Sequence, residues 1–464
     1  MIAANAKRWV FCRVLPGLLA GGMMAAVFPA AACRGQVPKA GDASAPRPNI
    51  VFILADDLGW ADVGYHGSEI ETPNLDRLAR AGIRLNQHYV MATCTPTRVG
   101  LMTGRFASRY GVTSPAYGRI FDDDTITLPE ALRRGGYTTS ISGKWHMGSP
   151  PDWTPRKYGF DTSYGYFHGQ VDPYIHDYKT GARTWHRNDE YIDEKGHATD
   201  LITAEAVRVL EAKHDRPFFL YVAYSVPHTP LNEPAEWTAR YEGRIAEPSR
   251  RWYAASVTHM DHGIGQIVAA LDRRGLRGNT LIVFSSDNGG QKSWSSDTEY
   301  QGRYADKPHP VLGNNRPLRG WKGNVYEGGI RVPAFVNWPG VLAPGELDMP
   351  IHIVDWMPSL CALTGCPPER DLGWDGTNVW PVIRGAVSSA PTRPLYWKTP
   401  NAAAVRRGDW KLTANKKGTG LELFNLAADP YETKDLAREQ PERVAELKVL
   451  LQEVAAKDRE RSGK

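Results

Sequence analysis

The sequence has few cysteines, no long block of charge of one sign and no internal repeat. Its five cysteines are too few and too scattered for the disulfide framework of a small secreted domain. The net charge of +5 is spread over 464 residues, so no nucleic-acid-binding face is indicated. With 42% hydrophobic and 23% charged residues, the chain can bury a large core. We therefore expect a globular protein with one large domain and a smaller one.

The N-terminal segment has the layout of a secretory signal peptide. Lys7, Arg8 and Arg13 precede an uncharged apolar stretch at residues 14–28, and three alanines follow at residues 30–32. This stretch is shorter than the about 20 residues that a membrane-spanning helix needs, and it contains Pro16. The sequence thus predicts a signal peptide over residues 1–32, export to the periplasm or the medium, and no transmembrane span. Residues 33–46, rich in Gly, Pro, Ala and Ser, are predicted to be a tether.

Three cysteines outside the signal peptide leave alternatives open. Cys33 follows the three alanines directly and is a candidate for the lipid-bearing first residue of a bacterial lipoprotein, although Ala30 stands where leucine is usual. A lipid anchor and free secretion are therefore both retained. Cys361 and Cys366 are close enough in sequence to form a disulfide after export, and buried free thiols are the alternative.

Short apolar runs alternate with helical patterns along most of the chain. Runs typical of buried strands occupy residues 49–54, 138–142, 218–224, 280–285 and 334–338, and helical patterns occupy residues 74–81, 128–134, 199–213 and 252–273. This alternation predicts a doubly wound, mainly parallel α/β domain over residues 47–385. Alternating segments at 394–398, 404–413 and 421–425, followed by a helix at 441–457, predict a small antiparallel sheet with a C-terminal helix over residues 386–464.

Polar side chains follow four of the predicted strands. They are Asp56 and Asp57, then Lys144 and His146, then His228, and finally Asp287 and Asn288. In an open α/β sheet, ligands bind at the carboxyl ends of the strands, so we expect these side chains to meet. Converging carboxylates repel one another unless a cation neutralises them, and an all-oxygen set suits calcium or magnesium. Taken alone, Asp56 and Asp57 would more simply cap a turn; the second pair at residues 287–288 favours a metal.

Cys94 opens the pentapeptide Cys-Thr-Pro-Thr-Arg, which ends at Arg98 and fits the C-x-P-x-R signature of cysteines that are converted to formylglycine. From residue 48 almost to the C-terminus the chain resembles type I sulfatases of the alkaline-phosphatase superfamily. Within that family its sequence is most similar to the arylsulfatase B branch. The segments that carry the resemblance are ADDLGWADVGYHGS (55–68), TPNLDRLARAGI (72–83), GYTTSISGKWHMG (136–148), SDNGG (286–290) and RGWKGNVYEGGIRVP (319–333).

The resemblance implies a role for each of ten residues. Asp56, Asp57, Asp287 and Asn288 match calcium ligands, and the ion would also contact the formylglycine derived from Cys94. Arg98 matches the residue that holds the aldehyde hydrate, and His146 the group that helps to remove its second proton. Lys144 and Lys322 match sulfate-binding lysines, and His228 with Lys322 would protonate the leaving oxygen. One hydroxyl of the hydrate attacks sulfur and the other later expels sulfate, which a serine could not do.

The resemblance also implies a substrate and a maturation partner. We expect a sulfated carbohydrate, most closely a 4-O-sulfated galactose or N-acetylgalactosamine, and a formylglycine-generating enzyme during biosynthesis. An aromatic and polar stretch could shape a sugar subsite; it comprises Tyr164, Tyr166, His168, Gln170, Asp172, Tyr174 and His176. Two alternatives stay open: a phosphonate or phosphate monoester hydrolase of the same superfamily, and a sulfated-glycan-binding protein whose Cys94 is never modified.

Overall fold

A computed structural model describes residues 47–295, 297–307 and 309–460. The predicted signal peptide and the whole predicted tether, including Cys33, lie outside these residues. Among the described helices, none combines the length and the apolar composition that crossing a membrane requires.

The strands fall into three sheets. In chain order they are β1 Asn49–Ala55, β2 Ile83–Leu85, β3 His88–Tyr89, β4 Thr138–Lys144, β5 Thr162–Tyr166, β6 Trp185–Arg187, β7 Glu190–Tyr191, β8 Phe218–Ala223, β9 Thr280–Ser286, β10 Phe335–Asn337, β11 Gly345–Leu347, β12 Ile351–His352, β13 Leu395–Lys398, β14 Ala402–Arg407, β15 Trp410–Asn415 and β16 Glu422–Asn425. The large sheet has the order β11-β2-β10-β9-β1-β8-β4-β5-β6-β7, β12 pairs with β3, and β13 to β16 form a four-stranded sheet.

The centre of the large sheet is parallel, as the alternating sequence pattern predicted. Strands β9, β1, β8, β4 and β5 run side by side in one direction. The run at residues 334–338, expected to join this parallel set, instead forms β10 antiparallel to β9. Strand β5 was not predicted from the sequence, because its tyrosines were interpreted as a sugar-binding stretch rather than as alternating strand residues.

Helices cover both faces of the sheet. They are α1 Pro73–Arg80, α2 Cys94–Thr103, α3 Leu128–Arg134, α4 Ala198–Glu211, α5 Ala235–Thr238, α6 Pro248–Arg273, α7 Glu327–Ile330, α8 Trp356–Thr364, α9 Trp380–Ile383 and α10 Pro441–Ala455. Because successive side chains of a strand point to opposite faces, Val51 and Ile53 pack with α1, α4 and α6. Phe52 and its neighbours at 50 and 54 pack with α2, α3 and α8 on the other face.

Single-turn 3-10 helices complete the described elements, at Gly64–His66, Ala107–Tyr110, Arg156–Tyr158, Ala239–Tyr241, Arg277–Asn279, Glu299–Gly302 and Ile353–Asp355. Cys361 lies in α8 and Cys366 just beyond its end, and both are buried free thiols. The buried-thiol alternative therefore describes this structure.

The C-terminal segment forms a small antiparallel sheet and a helix, as predicted. The pattern at residues 404–413 covers two strands rather than one, because the chain reverses between β14 and β15 at Gly408, which has a φ of 61°. The sheet is fastened to the large domain by polar contacts: the Trp397 indole donates to the Val90 carbonyl at 2.8 Å, and Lys411 reaches Glu327 at 2.9 Å. The predicted boundary at residue 385 stays a prediction.

Candidate active site

The ends of β1 and β9 place two pairs of polar residues side by side. The register pairs Ala55 with Ser286, so the next residues along each strand, Asp56 and Asp287, leave the sheet as neighbours. Both strands are apolar and fully buried, which fixes their register against each other. Asp57 and Asn288 follow, and all four side chains are buried. The structure thus brings together the four residues that the sequence proposed as metal ligands.

Two residues that follow strands of the large sheet, one after β1 and one after β4, have a left-handed backbone. Asp57 has a φ of 71° and His146 a φ of 57°. Non-glycine residues rarely adopt this conformation, and it is concentrated at functional sites. For Asp57, hydrogen bonds hold the turn: its amide donates to Asp287 Oδ1 at 3.1 Å, and its carbonyl accepts from the Tyr253 hydroxyl at 2.9 Å. These conformations depend on the surrounding fold, so no local sequence pattern predicts them.

The donor set fits a hard cation. Asp56 Oδ1 and Asn288 Oδ1 are buried and have no hydrogen-bond partner among the described residues. Asn288 Nδ2 donates to Asp57 Oδ1 at 2.8 Å, which turns the amide oxygen away from that contact. Burial, reinforced by the charge of Asp287, raises the pKa of Asp56 well above its usual value. A divalent ion ligated by these oxygens would give the unpaired oxygens a partner and would stabilise the charged form of Asp56.

Three cationic side chains are paired with the three carboxylates. Lys144 Nζ lies 2.6 Å from Asp56 Oδ2, Lys322 Nζ lies 2.7 Å from Asp57 Oδ2, and Arg98 donates to Asp287 Oδ2 at 2.8 Å. Burial opposes charge on Lys322, but Asp57 outweighs it and raises the pKa of that lysine, which stays an ammonium. Lys144 is the last residue of β4 rather than the residue after it.

Cys94 is the first residue of α2, so its side chain lies at the N-terminus of a helix, where backbone amides favour negative charge. The side chain is buried, and burial raises the pKa of its thiol, although Lys144 and Lys322 oppose the shift. Because the thiolate is the nucleophilic form of cysteine, the unmodified Cys94 is a poor nucleophile at neutral pH. Arg98 follows one turn later, and its guanidinium also contacts the Lys144 carbonyl and the Tyr221 hydroxyl, each at 3.2 Å.

The two histidines lie in different settings. His146 is buried, and neither ring nitrogen has a hydrogen-bond partner among the described residues. Burial, with help from Lys144, lowers its pKa well below the usual value, so the ring is neutral. A Cβ at Gly169 would lie 2.6 Å from His146 Nε2, so only glycine admits the ring at this approach. His228 Nδ1 donates to the Thr229 carbonyl at 2.6 Å, and its Nε2 faces Asp57 Oδ2 at 3.7 Å.

The aromatic stretch that was interpreted as a sugar subsite is divided by the structure. Four of its members are buried, namely Tyr164, Tyr166, Asp172 and His176. Tyr164 donates to Glu194 at 2.5 Å, Asp172 accepts from Tyr304 at 2.9 Å, and His176 Nε2 donates to the Gly196 carbonyl at 3.1 Å. The hydroxyl of Tyr166 has no hydrogen-bond partner among the described residues. The contacts of Tyr164, Asp172 and His176 within the protein favour a packing role for these three, and the sugar subsite stays a prediction.

Aromatic groups that the sequence did not single out lie beside His146. The exposed ring of Tyr117 lies 5.7 Å from the His146 ring, and its hydroxyl accepts a 2.7 Å hydrogen bond from Tyr178. His168, the half-buried member of the predicted stretch, stacks on Tyr178 at 4.6 Å. These groups come from separate loops, so spacing in the sequence could not have identified them together.

Comparison with known proteins agrees with this geometry. The profile of the Sulfatase family matches residues 48–366. Arylsulfatase J of Mus musculus is 34% identical over 474 residues, covering 88% of this chain and 76% of that protein. N-acetylgalactosamine-6-sulfatase of Mus musculus is 31% identical over 398 residues, covering 80% of this chain and 72% of that protein. The N-acetylgalactosamine-6-O-sulfatase of Bacteroides thetaiotaomicron is 28% identical over 505 residues, covering 91% and 96%.

Solved structures share the fold. The crystal structure of Ps i-CgsB superimposes with a TM-score of 0.80 at 31% sequence identity, covering 90% of this chain and 94% of that one. The same protein in complex with k-i-k-neocarrahexaose gives the same values.

Proposed function

Because this chain belongs to the sulfatase family and is a sulfuric ester hydrolase, we propose that it hydrolyses O-sulfate esters of sulfated sugars, using a formylglycine made from Cys94 and one calcium ion. One observation carries the proposal. Cys94 begins α2 within electrostatic reach of Asp56, Asp287, Lys144 and Lys322, and all five are contributed by different segments. Among the described residues this convergence leaves Asp56 Oδ1, Asn288 Oδ1 and both nitrogens of His146 without a hydrogen-bond partner, as a site that binds a ligand would.

Calcium is the ion that we propose for Asp56, Asp57, Asp287 and Asn288. When bound, it supplies positive charge that polarises the sulfate group. The three carboxylates are already matched by the three cations Arg98, Lys144 and Lys322. An added divalent ion therefore makes the pocket net positive, which suits the negative charge of a sulfate ester.

Formylglycine supplies a hydrated aldehyde, whose two hydroxyls can attack sulfur and then release sulfate. The chain's own residues would orient it. Arg98 is fixed at both ends of its guanidinium by Asp287 and the Lys144 carbonyl, so it holds its position beside residue 94 without rearrangement. The raised pKa of the Cys94 thiol supports the need for this modification, because the unmodified group is the wrong nucleophile.

Proton transfer is assigned to His146, His228 and Lys322. A neutral His146 with both nitrogens unpaired can accept a proton from the hydrate. His228 donates Nδ1–H to its own chain, so it could give a proton to the leaving oxygen only from Nε2 and only when the ring is doubly protonated. Burial, with help from Lys322, lowers the pKa of His228 to about 3. Lys322 retains its proton and is therefore the better placed donor in this arrangement.

For the sugar, we propose a galactose-type unit. Two relatives are named for N-acetylgalactosamine sulfates, both at the 6-position. The 4-O-sulfate expected from the arylsulfatase B resemblance is thus one of two positions to be tested. Panels of 2-, 4- and 6-O-sulfated galactose and N-acetylgalactosamine oligosaccharides, compared by kcat/KM, would decide between them. We expect galactose-type sulfates to exceed sulfated phenol and phosphate monoesters; a preference for phosphate would contradict the proposal.

The modification is tested by mass. Conversion of the Cys94 thiol to an aldehyde lowers the residue mass by about 18 units and creates a group that reacts with hydrazides. Co-expression with a formylglycine-generating enzyme should raise both the modified fraction and the specific activity in proportion. A fully active preparation that carries only the thiol would exclude the mechanism, and an unmodified native protein would favour the binding-protein alternative.

We also propose the domain limits and the location expected from the sequence: a signal peptide over 1–32, a tether over 33–46, a catalytic domain over 47–385, a subdomain over 386–464, and a periplasmic or secreted protein. The N-terminal peptide of the mature protein tests the first of these. A mature N-terminus near residue 33 with no attached lipid indicates secretion. A diacylated Cys33 at the N-terminus indicates a lipid anchor.

A further inference from the structure

A second cluster of ligating side chains lies outside the residues assigned to sulfate hydrolysis. His197 is the N-cap of α4, Asp200 lies in the first turn of that helix, and His259 lies in α6. Glu233 lies in the segment between β8 and α5. The side chains of His197, His259 and Glu233 are at most 2% exposed, whereas that of Asp200 is 62% exposed. The cluster therefore has a buried floor and one member at the surface.

Contacts within the cluster fix the imidazole of His259 through both of its ring nitrogens. His259 Nδ1 lies 2.6 Å from Glu233 Oε2, and His259 Nε2 lies 2.9 Å from Asp200 Oδ1. Trp237 stacks on the His259 ring at 4.9 Å with an interplanar angle of 16°. The ring is thus fixed in position and orientation before any ligand binds.

Two atoms of the cluster have no hydrogen-bond partner among the described residues, although both side chains are buried. They are His197 Nε2 and Glu233 Oε1, which face each other across 3.6 Å. Leaving buried polar atoms without partners is costly, and native proteins rarely do so without a bound group to receive them. The orphaned nitrogen of His197 therefore points to a ligand in this cluster.

The donor set indicates the chemical class of that ligand. One ligating atom from each of His197, Asp200 and His259 lies within 4.8 Å of the others. Two imidazole nitrogens and a carboxylate suit a borderline divalent ion such as zinc, whereas calcium prefers oxygen ligands. Glu233 holds the other nitrogen of His259, and a carboxylate in this position is the usual support for a metal-bound histidine.

We propose that His197, Asp200 and His259 form a second metal site for a zinc-type ion, with Glu233 orienting His259. The exposed carboxylate of Asp200 gives the ion a path from solvent, and water would complete the coordination. Asp200 belongs to α4 and His259 to α6, so the ion would join two helices that cover the same face of the sheet. Its role is therefore structural, and sulfate hydrolysis does not depend on it.

Binding exchanges protons for the metal. The His259 Nε2 proton, which is shared with Asp200, leaves when that nitrogen coordinates. His197 accepts the Thr199 amide at Nδ1 over 3.2 Å, so its proton resides on Nε2. Coordination moves this proton to Nδ1 and gives up that long hydrogen bond. This exchange makes the site weaker than one whose histidines are prearranged for metal.

Asp200→Asn is the decisive variant, because its side chain is largely exposed and the amide can still accept from His259. The matched control is Glu236→Gln, which removes a neighbouring exposed carboxylate outside the cluster. The full-length enzyme would be stripped of metal, loaded with excess calcium and titrated with zinc. Bound zinc is counted by elemental analysis after dialysis, and the affinity is measured by calorimetry and by Trp237 fluorescence.

We expect about one zinc per chain in the wild type and in Glu236→Gln, and an affinity at least about 10-fold weaker in Asp200→Asn. Sulfatase activity should be equal in all three. His197→Asn, which keeps a side chain that can cap α4, should weaken binding similarly, and cobalt in the wild type should give the visible bands of nitrogen coordination. Equal zinc affinity in the wild type and both cluster variants, or no zinc retained in the presence of calcium, would overturn the proposal.

Discussion

Two buried clusters of charge in this chain resemble each other in composition and differ in how completely they are paired. The candidate active site joins Asp56, Asp57 and Asp287 with three cations. The second, here called the anchoring cluster, consists of Glu327, Glu432, Lys411, Arg406 and Tyr89, and it lies between the large domain and the C-terminal sheet. Both bury ionised groups that could in principle mark a functional site.

In the anchoring cluster every carboxylate oxygen has a cation or a hydrogen-bond donor within 2.9 Å. Glu327 contacts Lys411 at 2.9 Å and Tyr89 at 2.6 Å, and Glu432 contacts Lys411 at 2.8 Å and the Glu327 amide at 2.7 Å. In the candidate active site, by contrast, the cation beside Asp56 Oδ1 is Arg98 at 4.0 Å, and Asp56 Oδ1, Asn288 Oδ1 and both nitrogens of His146 have no hydrogen-bond partner among the described residues. Burial of charge alone thus does not identify function, because a structural cluster is complete and a binding site keeps atoms for its ligand.

The largest effect that tests this difference is expected at Cys94. Cys94→Ala should abolish turnover, by on the order of 10⁶-fold if the loss matches that of other covalent nucleophiles. Cys94→Ser should not sustain turnover, since it retains only one hydroxyl. Cys361→Ala is the matched control, because it removes another buried thiol and should change the melting temperature rather than the rate. Comparable activity of Cys94→Ala and the wild type would remove residue 94 from the mechanism.

Removal of the proposed calcium should have the next largest effect. Without the ion the carboxylates of the pocket repel each other, so activity should fall by at least about 10²-fold and the melting temperature should decrease. Readdition of calcium should restore both. Activity that survives exhaustive chelation, in protein that elemental analysis finds free of metal, would contradict the oxygen site.

The anchoring cluster should respond in stability rather than in catalysis. Lys411→Met leaves the carboxylates of Glu327 and Glu432 buried without their cation, which should cost about 3–5 kcal/mol of unfolding free energy. At 25 °C the fraction that stays folded should keep its kcat. Urea unfolding combined with activity measurements separates the two effects, and a loss of kcat with unchanged stability would assign the cluster to catalysis.

The smallest effect is expected for a partly exposed lysine of the same small sheet. Lys398 contacts Asp458 at 2.9 Å but is 39% exposed, so Lys398→Met should change the unfolding free energy by less than about 1 kcal/mol. Comparing the unfolding free energies of Lys398→Met and Lys411→Met isolates the contribution of burial to the stability of each ion pair. Equal destabilisation by the two variants would show that the difference between the clusters is not one of burial.

Much of the fold was predictable because it depends on local patterns. Sequence runs located β1, β4, β8 and β9 to within about two residues. Strands buried on both faces are mostly apolar, as β1, β8 and β9 are, whereas β4 buries Thr139, Ser142 and Lys144. The direction of β10 was not predictable, because pairing is decided between strands distant in sequence. The division of residues 404–413 into two strands required the turn at Gly408, a signal that the alternating pattern obscured.

The sequence by itself determined which residue types stand at the strand ends and that Cys94 lies in a modification motif, since both are properties of short segments. Only the tertiary structure decided which oxygens and nitrogens remain unpaired, that Asp57 and His146 adopt left-handed backbones, and that His197, Asp200 and His259 meet although they lie on two helices. The physical reason is that hydrogen-bond satisfaction and side-chain convergence are properties of packed neighbours. Residues 60 positions apart become neighbours only when the sheet and its covering helices have formed.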